Sequence, residues 1–236
     1  VSKNHQELSQ LNSALVWQGF KRFLPISFFV AIFGAAFGLA AIQTGLDPLS
    51  IVSMSSFVFA GAAQFAVLEL WGTSIPIIPL IVTTFFINAR HILMGASLYP
   101  WLKYLPAPKR YGILLVLSDA NWAFSQQEFQ QQKPGFGILF GGGVALWIFW
   151  VIGTSLGVLF GNVIKNPAQF GLDMVMACFL LSMVIGGEKN LRIFFIWSVA
   201  AISSLLAYKY LPENSHVVVG ALAGGIIGMV LKEKRI

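Results

Sequence analysis

Long apolar runs alternate with short polar breaks along the whole chain. Set against the turn residues, the runs fall at about 22–43, 49–71, 75–98, 111–126, 136–160, 170–186, 191–210 and 216–231. The breaks carry Asp47-Pro48, Gly72 to Ser74, Pro106 to Arg110, Lys133-Pro134-Gly135, Asn162 to Pro167, Gly186 to Asn190 and Pro212 to Ser215, the residue types that interrupt helices. A helix needs roughly 20 apolar residues to cross the hydrocarbon core. The pattern therefore predicts an all-α polytopic membrane protein with about eight transmembrane segments in one membrane domain over 22–231. An N-terminal segment (1–21) precedes that domain and a basic tail (232–236) follows it. Leu8, Leu11, Leu15, Val16 and Trp17 lie among polar neighbours, which fits either a short helix on the membrane surface or a disordered tail. The first run resembles a signal peptide in its small residues from Gly34 to Ala41. It is too long and too similar to the later runs, and is expected as a retained span.

Charge placement bears on the topology. An even span count puts both termini on one side. Lys3, Lys21, Arg22, Lys232, Lys234 and Arg235 make that side the cytoplasm, and Lys133, Lys189 and Arg192 then agree. Lys103, Lys109 and Arg110 do not agree, because eight spans would put them outside. Either the rule is broken there, or one segment between 49 and 126 is re-entrant and seven spans remain.

Composition fits a lipid environment: 57% of residues are hydrophobic and 10% charged, with a mean hydropathy of +0.77, unlike a soluble domain. The net charge of +6 is spread over segment ends with no basic stripe, so no nucleic-acid partner is expected. Cys178 stands alone in an apolar run and reads as a packed small residue. His5, His91 and His216 are scattered, and hydrolase or phosphate-loop motifs are missing. No enzyme activity, cofactor or metal is expected. Glycines recur at spacings of four at Gly34 and Gly38, at Gly153, Gly157 and Gly161, and at Gly220, Gly224 and Gly228. Such ridges join helices closely within the chain, to a second copy or to a small partner.

Polar residues at membrane depth are costly and concentrate the candidate chemistry. Phe59-Ala60-Gly61-Ala62-Ala63-Gln64-Phe65 offers either an unwound stretch facing a polar ligand or a tight helix crossing with Gln64 as glue. Asn88-Ala89-Arg90-His91 places a carboxylate-binding arginine beside a titratable histidine; the alternative is a snorkelling Arg90 and a capping His91. Asp119, between Ser118 and Asn121, is the counter-ion of Arg90 or a proton carrier. Asp173 reads as a helix cap, and Glu69 as interfacial.

At these stretches the sequence resembles the AzlC family, the large subunits of bacterial branched-chain amino acid exporters. The matching pieces are Phe57 to Phe65 (FVFAGAAQF), Asn88 to Gly95 (NARHILMG), Ser118-Asp119, Trp147 to Gly157 (WIFWVIGTSLG) and Gly171-Leu172-Asp173, in the family's order. The resemblance implies secondary export of leucine, isoleucine, valine and often methionine across the bacterial inner membrane, with a small AzlD-type subunit as partner and oligomers possible. It carries over the Gly61 to Gln64 stretch with Asn88, Arg90 and His91 as the most distinctive polar features; joined to the reading of the residues above, the candidates are Gly61, Ala62, Gln64, Asn88, Arg90, Asp119 and Asn121 for substrate, and His91 and Asp119 for proton coupling. Phe59, Phe65 and Met94 would form the apolar pocket, and helix groups would rock about the breaks. Many relatives look to carry an acidic residue directly after the aspartate, whereas Ala120 follows Asp119 here, so a two-carboxylate relay is doubtful. A carrier or channel for another solute, and a non-transporting assembly subunit, remain open alternatives.

Overall fold

The computed structural model describes residues 5–71, 76–161, 174, 190–211 and 215–231. The sixth expected segment, with the Asp173 cap and Cys178, lies outside the described residues, as do Lys3, Lys189 and the basic tail. The described residues are overwhelmingly helical, as the apolar runs require. Among the described residues, four helices are long and apolar enough to cross a membrane: Ser13–Gln43 (α2), Ile77–Leu102 (α5), Phe136–Gly161 (α8) and Leu191–Tyr210 (α9). Between them lie α3 (Pro48–Phe57), α4 (Gly61–Glu69), α6 (Ala107–Leu115) and α7 (Asp119–Gln130). A single turn, α1 (His5–Leu8), opens the described chain and α10 (Ser215–Val230) ends it.

The spine is the pair α2 and α8. A Cβ on Gly141 would fall on the carbonyl oxygen of Val16, one on Gly153 on that of Ala31, and one on Gly157 on that of Ala35. Seen from α2, Gly19 meets the Gly137 carbonyl and Gly38 that of Thr154. Both helices ascend together through these contacts, so they run parallel, backbone against backbone. In lipid, where dispersion drives helix association, such contact is the main adhesive. It also explains why α2 begins at Ser13, well before the expected residue 22: Leu15 and Val16 already pack on Gly137 and Gly141.

Parallel spine helices require an odd number of crossings between them, and the structure supplies one, α5. The two short helix pairs turn back. Helix α3 descends along α8, with the Ser55 and Thr154 hydroxyls 2.9 Å apart and Trp147 Nε1 donating to the Ser56 carbonyl. The chain reverses at Val58–Ala60 and α4 climbs back: Phe65 stacks on Phe33, and Leu68 rejoins the cluster of Ala41 and Leu46. From the other end, α6 rises and α7 returns, so that Asp119 meets Arg90 while Phe129 packs on Trp101 and Phe136. Segments 49–71 and 111–126, expected as crossings, are thus two re-entrant hairpins where one had been considered. Length gives the reason: helices of 9 to 12 residues reach about 14–18 Å at 1.5 Å per residue, roughly half of the ~30 Å hydrocarbon core.

This geometry removes the charge conflict. The end that holds Lys21, Arg22 and Lys133 also holds Lys103, Lys109 and Arg110: Ser9 Oγ donates to the Trp101 carbonyl, Leu8 is buried with Leu102 and Leu105, and Arg22 pairs with Glu128 at 2.6 Å. Residues 43–71, which form the opposite end and its hairpin, contain no Lys or Arg. Asp47 there caps α3 by accepting from the Ser50 N–H, and its bonds to Ser50 hold its carboxyl below the ordinary carboxylate range. In a Cys178→Ser background, an impermeant maleimide is expected to label Tyr104→Cys from the same side as Gln10→Cys and from the opposite side to Thr44→Cys. Labelling of Tyr104→Cys from the Thr44 side would contradict the hairpins.

Helices α9 and α10 form an antiparallel pair, with Ser204 and Ala200 against Gly220 and Gly224. Arg192 donates to the Gly228 and Leu231 carbonyls, and α10 touches α5.

Candidate functional site

The two hairpin tips meet at mid-depth, beside Val30 and Phe33 of α2 and Leu146 and Trp150 of α8, around a cavity of about 220 Å³. Each tip is fixed to α8 by a buried amide. Gln64, 1% exposed, donates from Nε2 to Ser55 Oγ, which pairs with Thr154, and its Oε1 accepts from the Ala60 N–H at 3.3 Å. Asn121, fully buried, donates to the Val116 and Leu139 carbonyls at 2.6 and 2.8 Å and accepts from the Ser118 N–H at 2.7 Å. Both amides thereby satisfy backbone groups that the broken helices leave open, groups that lipid cannot satisfy. Neither lines the cavity: each turns its polar atoms to its own hairpin and to α8.

The first tip carries strain. Phe59 has φ +41, a left-handed conformation costly for a residue with a Cβ, and its side chain lines the cavity. Gly61 begins α4 against the Trp150 ring, where a Cβ would lie 3.1 Å from the ring edge, and Ala62 follows it on the cavity wall. The α4 cap residue, Ala60, has no side-chain acceptor to offer the first-turn N–H groups. At the second tip Ser118, Asp119 and Ala120 border the same space, with Asp119 opening α7.

Arg90 and His91 enter from the middle of α5. Arg90 Nη1 lies 3.1 Å from Asp119 Oδ2, the two side chains being 31% and 46% exposed. The pair is accordingly only partly buried, and both members face the cavity. Its members are a two-pronged cation that suits carboxylates and an anion that suits ammonium groups. His91 places Nδ1 3.2 Å from the Asn88 carbonyl oxygen. It also borders a second cavity of about 280 Å³ shared with Asn88, whose buried Oδ1 has no hydrogen-bond partner. So Gly61, Ala62, Arg90, His91 and Asp119 line one cavity, with Asn88 alongside. Phe65 and Met94 do not: Phe65 is buried in the Phe33–Phe37 stack, and Met94 sits in the cluster of Leu98 and Leu102. Sequence reasoning missed Trp150, which is 2% exposed and leaves its indole N–H without an acceptor. The broken apolar pattern offers no signal for it beyond its place among the tryptophans of 147–150. No group of three or more metal-binding side chains occurs among the described residues.

A family model described as "AzlC protein" matches residues 25–164, more than half of the 236 residues and the whole stretch from the cavity face of α2 through both hairpins to the end of α8. The chain belongs to the AzlC family. Among its relatives, "Inner membrane protein YgaZ" of Escherichia coli is 28% identical over 180 residues, covering 72% of this chain and 74% of YgaZ. "Branched-chain amino acid transport protein AzlC" of Bacillus subtilis is 25% identical over 178 residues, covering 72% and 68%. An uncharacterized membrane protein of Archaeoglobus fulgidus is 26% identical over 209 residues, covering 87% of each chain. No solved structure matches. The AzlC match ends near Gly161, so the hairpins, Arg90 and Asp119 belong to the shared AzlC portion, whereas α9 and α10 lie beyond it.

Proposed function

We propose that this chain is the large subunit of a secondary exporter of branched-chain amino acids, driven by the proton motive force and completed by a small AzlD-like membrane subunit. The observation that carries the reading is the Arg90–Asp119 pair between two half-membrane hairpins. A zwitterion entering there offers its carboxylate to Arg90 and the α4 first-turn N–H groups, and its ammonium to Asp119, so each protein charge trades one partner for another without being left bare in a poorly solvated site. A cavity of about 220 Å³ lies below the roughly 300–1,000 Å³ of sites for drug-sized ligands and suits a solute of amino-acid size. His91 and Asp119, the acid–base side chains at the cavity beside Arg90, are the groups that would carry protons. The basic end of the molecule, from Lys21 to Lys133, faces the cytoplasm of a bacterial inner membrane in this reading.

The test is counterflow of labelled leucine, valine and methionine into proteoliposomes with and without the small subunit. Accumulation that needs this chain supports an exporter. No movement of these amino acids with both subunits present rejects it and leaves an assembly role or another solute.

A further inference from the structure

Two cavities, not one, meet at the hairpin tips, and they differ in chemistry. The first holds Arg90 and Asp119. The second, about 280 Å³, is walled by Phe57 and Val58 from one hairpin and by Leu114, Leu115 and Leu117 from the other, opens outward where Phe57, Val58 and Leu115 are exposed, and apart from His91 has no ionisable side chain. Phe59, Ala60 and His91 line both and form the partition, of which the methyl of Ala60 is the smallest part and so marks the opening. Resting on the transport reading above, we propose that the second cavity is the subsite for the substrate's hydrocarbon side chain and sets which amino acid is carried.

The charged groups hold the carboxylate and ammonium in the first cavity, and the side chain passes Ala60 into the second. The apolar wall of the first cavity is closely packed: Phe33 stacks on Phe65 at 4.9 Å, Phe37 stacks on Trp150 at 5.7 Å, and Phe37 and Trp150 are buried. The second cavity has room, and its leucines exclude charged side chains by the cost of desolvating them. Because each hairpin supplies one wall, the side chain that fits is the one that bridges both.

The experiment measures counterflow of leucine, valine, methionine, alanine and phenylalanine by the complete two-subunit transporter. It compares wild type with Ala60→Val, which narrows the opening, and with Leu114→Ala, which enlarges the recess and is only partly buried. One methylene in an apolar site discriminates by about tenfold or more. Ala60→Val is expected to lower the leucine-to-alanine ratio about tenfold, and Leu114→Ala to raise the phenylalanine-to-leucine ratio by a similar factor. Unchanged ratios in either variant, with transport retained, put the side chain against the Phe33–Trp150 wall and overturn the subsite alone. A wild type that moves none of the branched amino acids or methionine overturns the transport reading and the subsite with it.

Discussion

Arg90→Ala is expected to lower leucine counterflow by about a hundredfold or more, because it removes the one cation among the groups lining the main cavity and leaves Asp119 facing that cavity without its partner. Breaking an ion pair by deleting one member is costlier than deleting both, since the survivor stays charged in a poorly solvated place. That asymmetry separates two roles. If the pair only holds α5 to the α6–α7 hairpin, the double variant Arg90→Met with Asp119→Leu replaces it with apolar contact and restores both thermal stability in detergent and transport. If Arg90 and Asp119 hold the substrate, the double variant recovers stability while transport stays absent, which is the outcome expected here. Arg90→Lys keeps the charge without the fork of parallel donors and should recover only part of the activity. Full transport by Arg90→Ala would remove Arg90 from the site.

Gly153→Val is expected to abolish recovery of folded, monodisperse protein. Its Cβ would land on the Ala31 carbonyl oxygen, and the obstacle is backbone in a 31-residue helix, which cannot swing aside as a side chain does. The helices must part, which forfeits the close contact that joins them in lipid. Gly225→Ala, whose Cβ would meet nothing within 4 Å, is the control and should behave as wild type in size-exclusion chromatography and thermal melting. Equal yields of the two variants would mean that the seam does not hold the molecule together.

The long helices were legible because each carries an apolar run of spanning length, and the glycine spacings announced the seam without naming its partner. The hairpins were legible only as one possible re-entrant segment between 49 and 126. A run of 20-odd apolar residues reads the same whether it crosses or turns back, and the reversal at Val58–Ala60 depends on a positive φ at Phe59, for which phenylalanine gives no signal. The charges on Lys103, Lys109 and Arg110 were the trace that it left in the sequence. Gln64 and Asn121 read as ligand-binding groups because a polar residue at membrane depth needs a partner. That the partners are Ser55 and the carbonyls of Val116 and Leu139 is a matter of tertiary packing, beyond any local pattern. Arg90 and Asp119 were legible for the complementary reason: they are full charges, too expensive to place in a membrane unless they meet.

On the transport reading proposed above, hairpins entering from opposite ends would each act as a plug about half a bilayer long, one stopping the cavity from the basic end and one from the other. Withdrawing either plug would wet Arg90 and Asp119 from one face alone, while the other stays seated and keeps the ion gradient from leaking through. The α2–α8 seam need not slide or part at any stage. A cycle of this kind depends on the flex of a few tip residues on either side of Phe59 and Ser118, where a rocking bundle would have to break the backbone contacts that hold the protein in one piece.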